Sequence, residues 1–214
     1  MKKIRFLLLT KSYKDSGYCV AGINLDENKF VRLVADTDLD LASIPYAYID
    51  TPPAIDCLDI LEIEPIKAVP FGCQTENILI DTNLRPSKIG RANLTDILQY
   101  VNSEQKIFGN TKKVLHSSQV EKLNRSLGLY IVENLKICCY FDEEKDKYVN
   151  QCDFRYKGNL YTQISLTDPV YRNVKYNEEV LSQAAIIVSL PPIPWGDGEF
   201  YFKFVAKIFD LKNS

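Results

Sequence analysis

The sequence predicts a mainly β (α+β) protein with two small β-barrels and a helical segment between them. Three observations predict this class. Short runs rich in Val, Ile, Tyr and Phe, bounded by Gly, Asn and Asp, fill the first and last thirds of the 214 residues. Apolar residues at helical spacing are confined to the middle third. Strand-rich halves around a helical segment fit two barrels, or one barrel with an insertion.

The first barrel is predicted over residues 1–90. Apolar runs predict strands over residues 4–10, 18–24, 30–34 and 57–66. Gly22 inside the second run predicts a β-bulge or a close backbone approach, and the broken alternation at Ile60 and Leu61 predicts a β-bulge. We expect residues 11–17 to form a polar loop, and the acidic, proline-containing residues 35–55 to form a long connection.

Residues 91–128 are predicted to be a helical connector. Asn93 is placed to cap a helix, and a second short helix is expected to begin at Ser117 or Ser118 and to end at Gly128. The apolar residues of the first helix recur at helical spacing: Leu94, Ile97, Leu98 and Val101.

The second barrel is predicted over residues 129–214. Strand patterns cover residues 129–141, 148–156, 160–166, 184–190 and 200–211. Gly158, between the second and third of these runs, predicts a tight hairpin turn.

Several function classes are excluded or disfavoured. No stretch approaches the ~18 apolar residues of a membrane span, and Arg5 breaks the N-terminal apolar run, so we expect a cytoplasmic protein with no membrane partner. The single histidine, His116, excludes a histidine-rich metal site. A Ser-His-Asp or Cys-His catalytic site would have to use His116, which lies in a polar segment typical of an exposed structural residue.

The formal net charge of −2 hides an uneven distribution. Residues 1–34 and 82–130 are rich in Lys and Arg, whereas residues 35–64 contain neither. The two basic segments either meet in one phosphate-attracting patch or pair with the acidic segment, and the sequence leaves both arrangements open.

Motifs along nearly the whole chain resemble one family. The motifs are Leu7–Ser12, Gly17–Gly22, Phe30–Val34, Gln74–Asn77, Leu166–Pro169, Val188–Leu190 and Tyr201–Ile208. In this order and spacing they resemble the bacterial dual OB-containing domain family. The resemblance implies two OB-type barrels, binding of nucleic acid or a nucleotide, and, in some members, a link to bacterial anti-phage defence. It brings no catalytic residues and no cofactor.

The residues after the first predicted strand are the first candidate ligand-binding group. In an OB fold the loop between strands one and two borders the ligand face, and basic groups and stacking rings hold oligomers there. The candidates are Lys11, Ser12, Tyr13 and Lys14, for which an ordinary solvated loop is the alternative.

The remaining candidates each have a structural alternative. Arg32 reaches a ligand or pairs with a carboxylate. The amides and carboxylate of Gln74, Glu76 and Asn77 read a base edge or cap a helix. Asp168 contacts a ligand beside Arg155 and Tyr171, or bonds nearby backbone amides. Trp195, in a Pro/Gly-rich loop, is an exposed stacking platform or a packed barrel plug.

Three function hypotheses follow, in order of preference. The first is a binding module for single-stranded nucleic acid or a nucleotide-derived ligand, and the second is a protein–protein adaptor. The third is a metal-dependent phosphodiester hydrolase using Asp36, Asp38 and Asp40. These aspartates do not form an EF-hand loop, because Leu41 and Ala47 stand where that loop needs Gly and Glu.

Overall fold

The structure, a computed structural model, describes residues 2–14, 17–38, 42–143, 146–171, 178–195 and 198–212. These residues form two compact units, Met1–Tyr100 and Val101–Ser214. Strands predominate in both units. No helix within the described residues is long and apolar enough to cross a membrane.

The first unit is a seven-stranded sheet with one short α-helix in its described part. Its elements are β1 (Ile4–Lys14), β2 (Gly17–Asn24), β3 (Lys29–Val34), α1 (Tyr46–Asp50), β4 (Asp59–Ile63), β5 (Pro65–Ala68), β6 (Asn77–Ile80) and β7 (Ser87–Arg91). A 3-10 helix over Leu94–Tyr100 ends the unit.

The sheet of the first unit curls into a ring. β1 pairs with β2, β2 with β3, and β3 runs parallel to β6. Only Glu64 separates β4, which pairs with β1, from β5, which pairs with β6. β4 and β5 therefore act as one bent strand that links both sides of the sheet, and β7 adds to the outside of β4. The core lies inside this ring, under α1.

Both bulges predicted in the first unit are confirmed. The pairing of β1 with β2 shifts between Leu8 and Thr10, opposite Gly22. A Cβ on Gly22 would lie 1.9 Å from the carbonyl oxygen of Leu7, so only glycine allows this close approach. The second shift falls between Ile60 and Leu61, where β4 meets β7.

The second unit has seven strands in its described part, five in one barrel and two in a small separate sheet. Its elements are β8 (Val114–His116), α2 (Ser117–Val120), β9 (Leu127–Asp142), β10 (Lys147–Tyr156), β11 (Asn159–Leu166), β12 (Glu178–Ser189), β13 (Phe200–Phe202) and β14 (Phe204–Asp210). 3-10 helices cover Ile107–Gly109 and Pro169–Tyr171.

Five of these strands close into a barrel in the order β10-β11-β14-β12-β9. In chain order, strands one to five of this barrel are β9, β10, β11, β12 and β14. Around the ring, neighbouring strands follow the order one, two, three, five, four and back to one. The third and fifth strands are parallel, as are β3 and β6 in the first unit. This shared order is that of an OB-type barrel, so the predicted mainly β class with two OB-like barrels is confirmed. β8 and β13 form a separate two-stranded sheet.

The loop predicted over residues 11–17 is wrong for its first part. β1 continues to Lys14, because its backbone pairs residue by residue with β2 as far as Lys14 opposite Gly17. Backbone pairing does not require apolar side chains, so the polar composition misled the prediction. The long connection predicted over residues 35–55 also contains α1, whose Tyr48 and Ile49 are buried.

The helical prediction for the middle of the chain is only partly correct. Residues 94–100 form a 3-10 helix rather than an α-helix. The second helix begins at Ser117 as predicted, but it ends at Val120, and Gly128 lies inside β9. The strand predicted over residues 200–211 is divided at Lys203 into β13 and β14.

The segment that follows residue 100 packs on the second barrel through polar contacts. The backbone N–H of Ile107 donates to the hydroxyl of Tyr161 at 2.9 Å. The hydroxyl of Tyr130 donates to a carboxylate oxygen of Glu104 at 2.5 Å, and Arg125 pairs with the same carboxylate. Burial raises the pKa of Tyr130 well above its usual value, so this hydroxyl stays a hydrogen-bond donor.

Candidate functional site

Lys11 is held by groups of the first unit. Its ammonium donates to the carbonyl oxygen of Ile55 and to a carboxylate oxygen of Asp56, both at 2.9 Å. The carboxylate of Asp50 lies 3.8 Å away. These contacts satisfy the charge of Lys11 locally.

The other candidates on β1 are also packed. The ring of Tyr13 lies 5.6 Å from that of Tyr18 and 6.0 Å from that of Tyr46, centroid to centroid. The hydroxyl of Tyr46 donates to the backbone carbonyl of Lys14, and Ser12 is buried. Tyr13 therefore closes the barrel core instead of standing open as a stacking ring.

Four further candidates meet in one buried cluster of the first unit. Arg32 and Glu76, with side chains 3% and 6% exposed, form an ion pair at 3.5 Å. A second guanidinium nitrogen lies 2.7 Å from the sulfur of Cys19. The side-chain amide of Asn77, the residue opposite Arg32 in the β3–β6 pair, donates to that of Gln74 at 3.2 Å. The cluster ties the two parallel strands together.

Several cations of the first unit pair with carboxylates of the acidic segment. Burial opposes ionisation of Asp59, yet the backbone N–H of Asp56 and the cations of Lys88 and Arg91, at 2.8 and 2.7 Å, hold its pKa below the usual value. At the surface, the Lys3 ammonium lies 2.7 Å from a carboxylate oxygen of Glu62. These cations are neutralised where they lie.

In the second unit the Asp168 carboxylate is a structural anchor. It accepts from the backbone N–H groups of Ile208 at 3.0 Å and Val170 at 3.2 Å, and the Lys207 ammonium lies 3.0 Å from it. Arg155 lies at the β10–β11 turn, where it donates to the carbonyl of Gly158. Among the described contacts, none joins Asp168 to Arg155.

Trp195 is a candidate whose side chain the structure leaves exposed. Its side chain is 72% exposed, on the loop between the fourth and fifth strands of the second barrel. Its backbone N–H donates to the carbonyl of Phe200 at 2.8 Å, and Phe200 in turn lies opposite His116 in the β13–β8 pair. The side chains of Trp195, Phe200 and His116 therefore lie in one row across three neighbouring backbone segments.

We call this surface the aromatic ladder; it consists of Trp195, Phe200, Phe202 and His116. The Phe200 and His116 rings are 5.7 Å apart and nearly perpendicular, and so are those of Trp195 and Phe202 at 6.4 Å. Phe200 is 46% exposed, whereas Leu115, on the opposite face of β8, is fully buried. Since side chains alternate along a strand, one face packs inward and the rings face solvent.

Polar groups border the ladder on the side of Val114. Lys112 and Lys113 are exposed and directly precede β8. The ammonium of Lys113 lies 3.4 Å from the side-chain oxygen of Gln163 on β11, the third strand of the barrel. Gln163 occupies a bulge with a φ of 55°. Bulges commonly redirect side chains next to binding sites.

Lys203 directly follows Phe202 of the ladder in the chain. Its side chain is 1% exposed, and its amine donates to the backbone and side-chain oxygens of Asn110 at 2.7 and 2.9 Å. The Tyr161 ring lies 5.3 Å from the same nitrogen. Burial lowers the pKa of Lys203 to about 7. A neutral amine has two N–H donors, which matches the two acceptors on Asn110.

Asp36, one of the aspartates of the hydrolase hypothesis, stabilises the turn in which it lies. A carboxylate oxygen of Asp36 accepts from the backbone N–H groups of Thr37 at 2.6 Å and Asp38 at 3.1 Å. Asp40 lies outside the described residues. Across the parts of the chain that the structure describes, no three His, Cys, Asp or Glu side chains are grouped as metal ligands.

Sequence reasoning missed most of the ladder. His116 was expected to be an ordinary exposed residue, and Phe200 and Phe202 were expected within one long strand over residues 200–211. The available signal was the alternation of Phe200, Tyr201 and Phe202 directly after a Pro/Gly-rich loop, which is typical of an exposed short strand as well as of a buried one.

Comparison with known proteins gives one match. A family model described as a dual OB-containing domain matches residues 4–208, nearly the whole chain. No curated protein and no solved structure gives a significant match.

Proposed function

The chain belongs to the dual OB-containing domain family, and we propose that it is a binding module that holds single-stranded nucleic acid on the aromatic ladder of its second barrel. OB barrels bind oligonucleotides through the face of strands two and three and through the loops after strands one and four. Trp195, Phe200 and Phe202 of the ladder lie on the connection after the fourth strand, and Lys113 beside the ladder contacts Gln163 on the third.

The observation that carries this proposal is the 72% exposure of Trp195. A solvent-exposed tryptophan leaves a large apolar surface in water. Stacking of a nucleobase on an aromatic ring contributes about 1–3 kcal/mol per base and tolerates any sequence. Phe200, half-exposed in the next position of the row, offers a second stacking surface.

The surrounding charges favour a single strand over a duplex. Lys112 and Lys113 supply two cations for phosphate contacts beside the rings. Proteins that bind duplexes usually carry a strongly basic surface, whereas this chain has a formal net charge of −2. The cations of the first unit described above are already paired with carboxylates. A few phosphate contacts combined with stacking suit a strand whose bases are unpaired.

A fluorescence titration tests the proposal directly. Trp195 is the only tryptophan of the chain, so its emission reports on its own surroundings without a label. Addition of a mixed-sequence 12-nucleotide single strand at low salt is expected to quench this emission, and the same sequence as a duplex is expected to quench it much less. Unchanged emission together with unchanged anisotropy of a labelled strand at low salt would overturn the proposal. A role in anti-phage defence, which the family resemblance implies, stays a prediction.

A further inference from the structure

One end of the aromatic ladder carries a carboxylate. Glu199 directly precedes Phe200, and its side chain is exposed. A carboxylate oxygen of Glu199 lies 3.7 Å from Nε2 of His116. Lys112 and Lys113 lie next to Val114, at the opposite end of β8. The ladder therefore has a cationic end and an end with an acceptor.

The hydrogen bonds of the His116 ring determine which of its two nitrogens carries the proton in the neutral form. The backbone N–H of Ser118 donates to Nδ1 of His116 at 3.2 Å, which makes Nδ1 an acceptor. A neutral ring then carries its proton on Nε2. The backbone N–H of His116 donates to the side chain of Gln119 at 3.2 Å, so the ring is held at the start of α2. The backbone carbonyl of Glu199 accepts from Ser117, which fixes the other partner.

The carboxylate of Glu199 keeps acceptor capacity for a ligand. The 3.7 Å separation from His116 exceeds hydrogen-bond length. Within the described parts of the chain, the recorded hydrogen bonds of Glu199 involve only its backbone carbonyl. Because the rings of Phe200 and His116 are 5.7 Å apart, a base stacked on Phe200 would lie close to the Glu199 carboxylate.

We propose that Glu199 selects bases that carry an exocyclic amino group, so that the ladder prefers cytosine to uracil. This inference rests on the proposed function. An ionised carboxylate only accepts hydrogen bonds. Cytosine presents its N4 amino group as a donor, and carboxylates read this group in known complexes. Uracil presents a carbonyl oxygen at the same position, which a carboxylate repels. Both bases are pyrimidines of equal size, so the difference between them isolates this hydrogen bond from stacking.

The experiment compares two labelled octamers, dC8 and dU8, by fluorescence anisotropy at low salt and pH 7.5. The variants are Glu199→Gln and, as a control with the same change of charge and size on the exposed face of β9, Glu133→Gln. Wild type is expected to bind dC8 about 5–10-fold more tightly than dU8. Because the site is solvent-exposed, this hydrogen bond is expected to discriminate between the bases as weakly as the weakest contacts in known complexes. Glu199→Gln is expected to reduce this ratio below about twofold, because an amide both donates and accepts. Glu133→Gln should leave the ratio unchanged.

The outcomes separate this inference from the proposed function. Equal binding of dC8 and dU8 by wild type overturns the selection by Glu199 and leaves binding on the ladder intact. Absence of binding to both octamers overturns the two together. A preference for dC8 that survives Glu199→Gln overturns the assignment to Glu199. Because the ratio is compared, a general gain in affinity from removing one negative charge does not affect the conclusion.

Discussion

The backbone N–H of Trp195 donates to the carbonyl oxygen of Phe200 at 2.8 Å, and this pairing sets two exposed aromatic side chains side by side. Directly opposite residues in a sheet project to the same face. The same rule extends the row to His116 across the β13–β8 pair. The side chains of Trp195, Phe200 and His116 thus project to the same face.

Replacement of Trp195 by alanine tests the contribution of the ladder. Trp195→Ala is expected to weaken single-strand binding by about 5–150-fold, the equivalent of about 1–3 kcal/mol of stacking. Stability should change by less than about 0.5 kcal/mol, because the side chain is exposed. Leu160→Ala is the control, since Leu160 is also exposed but lies at the β10–β11 turn. Equal loss of affinity in both variants would contradict a specific role for Trp195.

The two lysines beside the ladder are expected to set the salt dependence. The double variant Lys112→Ala, Lys113→Ala should lower the slope of log affinity against log salt by about 1.4, because each phosphate contact of a single strand contributes roughly 0.7. Titrations between low and moderate salt measure this slope. The double variant Lys29→Ala, Lys67→Ala removes two exposed lysines of the first unit and should leave the slope as in wild type. A slope that changes equally in both would show a nonspecific effect of net charge.

The buried pair of Arg32 and Glu76 is expected to stabilise the first unit. Glu76→Gln leaves the guanidinium of Arg32 buried without its counter-charge and should cost about 3–5 kcal/mol in urea unfolding. Glu62→Gln, which breaks the exposed pair with Lys3, should cost less than about 1 kcal/mol. If Glu76→Gln retained wild-type stability but lost affinity for single strands, Glu76 would be a ligand-binding residue as first predicted.

Lys203 is expected to make stability rise with pH. The pKa of its amine is about 7 in the folded protein and 10.5 when unperturbed, so between these values the unfolded chain binds more protons. Stability therefore increases as pH rises above 7, and below pH 7 both states are protonated and the dependence disappears. From pH 7 to 8.5 the free energy of unfolding of wild type should rise by on the order of 1 kcal/mol more than that of Lys203→Met. Parallel pH profiles for the two proteins would contradict a neutral amine at this position.

Gly22 is expected to be required by the bulge in β1. Gly22→Ala would place a Cβ 1.9 Å from a backbone oxygen, so one strand must move. The loss is expected to exceed about 2 kcal/mol in urea unfolding. At Gly90 a Cβ would meet only Ile60, at 3.8 Å, so Gly90→Ala should be close to neutral. Similar free energies of unfolding for the two alanine variants would show that the strands move apart at Gly22 without loss of stability.

The sequence by itself determined the class of fold and several local features. Period-two alternation and turn residues identify strands without knowledge of their partners, and a glycine inside a strand indicates a bulge wherever that strand pairs. The irregularities in strand pairing at Gly22 and at Ile60 were predictable for this reason. The family resemblance carried the two-barrel architecture, which periodicity alone left open.

Only the tertiary structure decided which candidate residues stand open. Whether Tyr13 stacks on a ligand or closes a core depends on Tyr46, more than thirty residues away, and whether Arg32 is available depends on Glu76. The ladder joins His116 to Phe200 across a still longer separation. Pairing between distant strands is set by the total packing of the barrel, and a local pattern reports only that a side chain alternates, without showing which face meets water.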